Sequence, residues 1–302
     1  MARFVQQRGA LALFVAAGVI LALPARARDV FVDNVVGDDR RDGSSAELSG
    51  TQGGPCRTIT RGLTRIQPGD RLVIANHGQP YCESVTLQAA RHSGVGGRPF
   101  EIVGNKAVLD GRAKVSAGAW EHDRGDVYRF QPPRMGHLML YLEDKPALRH
   151  VAGDDAAPGG LKPLEWTLWR GHVYFCAEQG RAPRDYDLSY SALPVGITLY
   201  DVHHVWISDL VVQGFQLDGV NAHDNVVEAT LLGLTCRGNG RSGISVGGAS
   251  SVRVKACVLG DNGAAQLRTE GVSKTEIVDC DLIENTAPGV VREGGFVTMA
   301  PQ

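Results

Sequence analysis

Over residues 196–302 apolar and polar positions alternate in short runs, such as Val252-x-Val254 and Thr275-x-Ile277, separated by Gly, Asn, Asp and Ser. A period of two in short runs predicts strands joined by turns. The pattern also repeats on a longer scale. GITLYDVHHVWISDLVVQGFQLD from Gly196, GVNAHDNVVEATLLGLTCRGNGRS from Gly219, GISVGGASSVRVKACVLGDNGAA from Gly243 and QLRTEGVSKTEIVDCDLIENTAP from Gln266 align as four units of 23 or 24 residues, and a fifth begins at Gly289. Short strands of this kind cannot bury an apolar face alone, whereas stacked units can.

Stacking places equivalent side chains about 4.8 Å apart, in columns. Leu210, Leu234, Cys257 and Cys280 form one apolar column by alignment, and Val212, Cys236, Leu259 and Leu282 another. The cysteines in them read as core residues. Asn239, Asn262 and Asn285 form a polar column, with Gln216 in the same place of the first unit. Inward amides at a turn can bond the turn backbone and one another, and Asn tolerates the left-handed conformation that tight turns need. These three asparagines are therefore expected to be a structural ladder.

Nearer the N-terminus, Leu72-Val73-Ile74-Ala75, Val85-x-Leu87, Phe100-x-Ile102-Val103 and Val108-x-Asp110 read as strands of the first coils. Thr58 can cap a short helix in which Ile59, Leu63 and Ile66 share one face and which ends before Pro68-Gly69. Such a helix would cover the open end of the stack. Between residues 112 and 192 the repeat disappears and aromatic residues accumulate. Alternation at Leu138-x-Leu140-x-Leu142 and Val173-x-Phe175, with an acidic turn at Glu143-Asp144, predicts a small antiparallel β insertion. It either packs against the flank of the stack or forms the wall of a groove.

The first 27 residues read as a secretory signal, with Arg3 and Arg8, the apolar run Leu11 to Leu23, and Ala25-Arg26-Ala27 as a cleavage site. The expected organisation is thus signal peptide 1–27, N-terminal cap and first coils 28–111, insertion 112–192 and repeat coils 193–302. No later stretch is apolar enough to span a bilayer, so a secreted or periplasmic product without membrane attachment is expected. Removing the signal takes three arginines and no acid, which shifts the formal charge from -2 to about -5. Nucleic acid is excluded as an expected partner. Export permits disulfides among the six cysteines, with Cys56 and Cys82 as the expected pair.

Alternate residues of each strand face outward, so stacked coils present rows of side chains able to follow an extended polymer. Thr198, Asn221, Ser245 and Arg268 form one row, and Tyr200, His223 and Glu270 the next. Arg253, Lys255 and Glu276 face out on another strand beside Trp206 and Ser208, while Asp201, His203, His204, Asp224 and Lys274 occupy turns. His223 beside Asp224 is an acid–base candidate, because His exchanges protons near neutral pH. His203 and His204 are adjacent and in extended chain point to opposite faces. The bland reading of all these charges is a solvated face. H-E-x-x-H and the G-x-x-x-x-G-K-[ST] phosphate loop are absent from the sequence, which disfavours zinc hydrolysis and nucleotide chemistry of the P-loop kind.

The strand pattern of Asp218-Gly219-Val220 and Val205-Trp206-Ile207-Ser208-Asp209, with the asparagine column, resembles the right-handed parallel β-helix, or pectate-lyase-like, superfamily. A second stretch is similar to the start of bacterial exported β-helix proteins, including some polysaccharide lyases. It comprises Val30-Phe31-Val32-Asp33, Gly37-Asp38-Asp39, Asp42-Gly43, Pro55-Cys56-Arg57-Thr58-Ile59, Gln67-Pro68-Gly69-Asp70 and Tyr81-Cys82-Glu83. The resemblance implies an all-β chain, a single-stranded right-handed parallel β-helix with a capping helix and the antiparallel insertion. It further implies a polysaccharide partner and a lyase or epimerase of uronic-acid polymers. On that reading Lys255 or Arg253 is the catalytic base with His223 beside it, and Trp206, Tyr200, Asn221, Arg268 and Glu270 bind substrate. Asp201 and Asp224 would then be ligands of a calcium cofactor, although two carboxylates are few for calcium. The competing reading is a non-catalytic carbohydrate-binding, envelope or adhesion module, since one fold hosts many functions. At the C-terminal end the last half-coil either folds over the apolar columns or leaves them to self-association.

Overall fold

A computed structural model describes residues 27–134, 136–150 and 159–300. The proposed signal segment lies outside the described residues, apart from Ala27. Among the described residues no helix is long and apolar enough to cross a membrane.

The repeat folds into coils of three strands each, and successive coils pair in parallel. Sheet A contains Val85–Gln88, Ile197–Tyr200, Asp218–His223, Ser242–Val246 and the first part of Ala265–Val278. Sheet B runs from Asp29–Val32 through Arg71–Ile74 and the first parts of Phe100–Asp110 and His203–Gln213 to Val227–Leu232 and Ser251–Lys255. The later parts of Ala265–Val278 and Val290–Met299 complete it. Sheet C holds the ends of Phe100–Asp110 and His203–Gln213 with Thr235–Arg237, Val258–Gly260 and Asp281–Leu282.

Single left-handed residues bend the chain from one sheet to the next. Asp209, Gly233, Ala256 and Asp279 adopt φ of 52°, 63°, 51° and 50° between sheets B and C. Asp201, Asp224, Gly248 and Gly271, at 50°, 52°, 61° and 65°, do so between A and B. The sequence period is thus the circumference of one coil, with bends at fixed points.

Between the sheets the apolar columns form one core from Val30 to Ile277. Val212 pairs with Cys236, Cys236 with Leu259 and Leu259 with Leu282. In the other column the backbone N–H of Leu234 points at Cys257 Sγ and that of Cys257 at Cys280 Sγ, both at 3.4 Å. A thiol at the B–C bend therefore serves an N–H that ladder pairing leaves free.

Asn239 and Asn262 are buried at the corner between sheets C and A. Asn262 Oδ1 accepts from Asn239 N and Nδ2, both at 3.0 Å, and Asn239 Oδ1 accepts from Phe215 N. Asn285 departs from the ladder: it is exposed and bonds the backbone N–H and carboxylate of Asp261 rather than Asn262. The turn in its coil stands outward.

The helix spans Ile59–Arg65, with Thr58 accepting from Arg61 N. Gly62 is in such close contact that a Cβ there would lie 2.5 Å from Val32 Cγ2 and 2.8 Å from Leu72 Cδ1, so the helix seats directly on the first coils. Glu83 accepts from Ile59 N and Thr60 N at the helix start. The Cys56–Cys82 disulfide does not form. Cys56 is buried with its thiol directed at Arg41 O, Cys82 is exposed, and all six cysteines are free.

The insertion forms two antiparallel four-stranded sheets, one built on Trp166–Trp169, His172–Cys176, Val127–Phe130 and Glu121–Arg124, the other on Arg112–Lys114, Leu188–Ser191, Leu140–Leu142 and Lys145–Pro146. Its core is separate and aromatic: Trp120 meets Phe130 edge-on at 4.7 Å, and Phe175 meets Tyr186 at 5.5 Å. Tyr141 Oη donates to Gly238 O, and Gln216 Nε2 donates to Arg134 O, which anchor the insertion on the C–A corner.

Candidate functional site

The sheet bends separate the outward residues into two faces. On sheet A, register places Thr198, Asn221, Ser245 and Arg268 side by side, and Tyr200 beside His223. Gly247 fills the next place of that second row. With no side chain there, the His223 ring lies 3.4 Å from where a Cβ would stand, and Glu270 Cβ 3.8 Å away on the other side. His223 and Glu270 thus face each other across a gap.

At the foot of this face Asp218 is fully buried. Its carboxylate accepts from Arg241 Nε at 3.0 Å and Nη2 at 2.5 Å, from Ser242 Oγ at 2.5 Å and from Asn221 Nδ2 at 3.2 Å. Asn221 Oδ1 has no partner among the described residues. The other side of Arg241 faces Glu270 at 3.9 Å, and Glu270 also accepts from Arg268 Nε at 2.6 Å. Arg268 reaches on to Glu293. Arg268 holds the Glu270 carboxyl below its ordinary range, and the Asp218 bond raises the Arg241 guanidinium. Asp218 and Glu270 alternate with Arg241 and Arg268, two carboxylates and two guanidinium groups, in a stiff, charge-balanced floor.

The insertion meets the edge of this floor at the C–A corner. The His137 backbone packs on Gly240, where a Cβ would meet its carbonyl at 1.8 Å. The His137 ring responds to the charges of Arg241, Asp218, Arg149 and Arg268; partial burial and then repulsion from Arg241 lower its pKa from the ordinary 6.5. Arg149 lies over the Trp166 ring, 5.2 Å from its centroid, with no carboxylate partner among the described residues. His137 and Arg149 fall in the aromatic segment, where no repeat signalled them. Only docking of the insertion brings them to sheet A.

On sheet B the outward row runs Trp206, Thr230, Arg253, Glu276 and Thr298. It floors a groove of about 680 Å³ walled by Val95, Gly96, Gly97, Pro99 and Phe296. Arg253 Nε pairs with Glu276 at 2.8 Å. Lys255 stands further along the same strand, outside the groove lining.

The expected site residues therefore divide. Tyr200, Asn221, His223, Arg268 and Glu270 share sheet A, whereas Trp206 and Arg253 lie in the sheet B groove. The structure does not unite Lys255, Arg253 and His223, because the A–B bend turns their strands to different faces. Asp201 accepts from Asn225 Nδ2 at 2.7 Å and Asp224 pairs with His223 at 3.0 Å, so the residues present do not fit a calcium site. Among the described residues no cluster of three or more His, Cys, Asp or Glu is arranged to hold a metal. His203 and His204 do not diverge: His204 has φ 53°, and the two Nδ1 atoms lie 3.1 Å apart while His204 Nε2 meets Glu228 at 2.9 Å.

The parallel coils agree with comparison to known proteins. A model of the right handed beta helix region matches residues 190–300. The chain is a right-handed parallel β-helix. A solved glycoside hydrolase superposes with a TM-score of 0.60 at 12% identity, covering 84% of this β-helix and 73% of that chain. A complex of XylC with xylose gives 0.45 at 12% identity, over 90% and 70%. Pectate lyase Pel9A gives 0.43 at 10% identity, over 85% of this chain and 54% of its own, so the β-helix spans about half of that lyase. At these identities the likeness is one of fold. No curated protein matches the sequence.

Proposed function

We propose that this β-helix is a carbohydrate-active protein that works on uronic-acid-containing polysaccharide at the sheet A face beside the insertion, as a lyase or epimerase. One observation carries the reading: the insertion packs the His137 carbonyl against Gly240, next to Arg241, and lays Arg149 over Trp166, so that a base whose surroundings favour its neutral form stands near cations. A base beside cations is what chemistry next to a sugar carboxylate requires. Arg149 neutralises the substrate carboxylate and so acidifies the neighbouring C–H. Neutral His137 takes that proton. In elimination the C–H electron pair forms a C=C bond, the glycosidic C–O bond on the next carbon breaks, and the leaving oxygen acquires a proton. In epimerisation the same carbon is reprotonated on its other face. Asn221, His223 and the outward row of sheet A position the sugar rings. The pairing of Glu270 with Arg268 disfavours glycoside hydrolysis by that residue as acid, since such an acid needs a raised pKa.

The test is incubation with pectate, alginate and glycosaminoglycans, reading ultraviolet absorbance of unsaturated products and uptake of solvent deuterium beside the carboxylate. The expected result is one of these signals, reduced about 100-fold or more in His137→Ala. Because the His137 pKa is lowered, the acid limb of kcat/KM should have its midpoint below the ordinary 6.5 of histidine. Absence of both signals across the panel would overturn the reading, and binding without turnover would leave a non-catalytic carbohydrate-binding module. An exported location accompanies this reading, checked by the N-terminal mass of the protein recovered outside the cytoplasm.

A further inference from the structure

The sheet B groove belongs to neither the buried core nor the charged face of sheet A. Its floor crosses five paired strands, a length of about 19 Å at the sheet spacing. Its volume of about 680 Å³ is within the range of ligand clefts. Two aromatic rings mark it: Trp206 is 49% exposed at one end and Phe296 69% exposed at the other. Neither ring is a core residue, so their exposure has no packing explanation. Between them stand Thr230 and Thr298 hydroxyls and the Arg253–Glu276 pair.

Charge distinguishes this groove from the site on sheet A. The lining carries Arg253 and Lys274 against Glu228 and Glu276, two cations and two carboxylates, with Arg253 in contact with Glu276 and His204 with Glu228. Matched charge in an open groove attracts a polyanion little, but presents donors and acceptors suited to hydroxyl groups. Apolar rings spaced along an extended floor suit the C–H faces of sugar rings. We propose that the sheet B groove binds a stretch of neutral glycan chain, stacked on Trp206 and Phe296 and bonded by the Arg253–Glu276 pair, as a holding surface separate from the sheet A site. Binding here fixes the protein on a polymer while sheet A engages another segment.

The test is native affinity electrophoresis of the whole chain in gels containing soluble β-glucan, xylan or galactomannan, with polygalacturonate and alginate in parallel. Retardation is expected with at least one neutral polymer, insensitive to added salt, and weakened about tenfold by Trp206→Ala and by Phe296→Ala. Both side chains are exposed, so melting curves should match the parent and keep the comparison clean. No retardation by any neutral polymer, retardation unchanged in both variants, or retardation by the uronates alone would each overturn the proposal. A concentration-dependent sedimentation shift abolished by the same variants would overturn it too, assigning the rings to a second copy of the chain. The readout is binding without turnover, so its outcome is independent of catalysis at sheet A.

Discussion

Sheets A and B are built by the same repeat, in the same register, from strands a few residues apart, yet their outer faces differ in kind. Sheet A carries a fully buried carboxylate, guanidinium groups shared between coils and the insertion docked at its corner. Sheet B carries exposed rings and exposed ion pairs. The coil holds both faces equally rigid; what differs is cover. Arg268 and Glu270 are 19% and 29% exposed, against 56% and 40% for Arg253 and Glu276, so the sheet A pair exchanges its partner for water less readily.

The strongest way to break this contrast is Asp218→Ala. It strands Arg241 and Ser242 at the foot of sheet A, and denaturant unfolding should show a loss of about 3 to 5 kcal/mol. A loss below about 1 kcal/mol would mean that sheet A is as solvated as sheet B. Within the shared corner, Asn239→Ala should cost about 1 to 3 kcal/mol by leaving the buried Phe215 N–H unsatisfied, read in the same experiment. Acid sharpens the difference further. Arg268 depresses the Glu270 pKa in the folded state, so its contribution is intact above the ordinary 4.5 and fades as pH falls through the folded value. Melting curves from pH 7 to 3 should therefore show a shallower acid limb in Glu270→Gln than in the parent, and parallel limbs would remove the Arg268 linkage. The smallest effect belongs to sheet B: Glu276→Ala should change stability by less than about 1 kcal/mol, because its pair with Arg253 is exposed.

Much of this fold is legible along the chain because each regularity has a local cause. Val212, Cys236, Leu259 and Leu282 recur because one coil has a fixed circumference, and Asn239 and Asn262 recur because the same turn needs the same bonds in each coil. Thr58 caps its helix through its own side chain. The site is legible only in part. Asn221, Arg268 and Glu270 fall together because strand register decides them. Arg253 and Lys255 look like neighbours of His223 in an alignment, but a left-handed residue between sheets turns them elsewhere, and outward alternation alone does not encode that angle.

What the sequence by itself determined is the repeat: strand positions, inward columns and which residues alternate outward, all consequences of strand alternation and of a period equal to one coil. What only the tertiary structure decided is company. His137 and Arg149 lie in a segment with its own aromatic core, and they reach Arg241 and Asp218 because Tyr141 and Gln216 fix that segment on the C–A corner. Contacts between an irregular insertion and a regular stack depend on shape fit at one place, and shape fit leaves no period in the sequence.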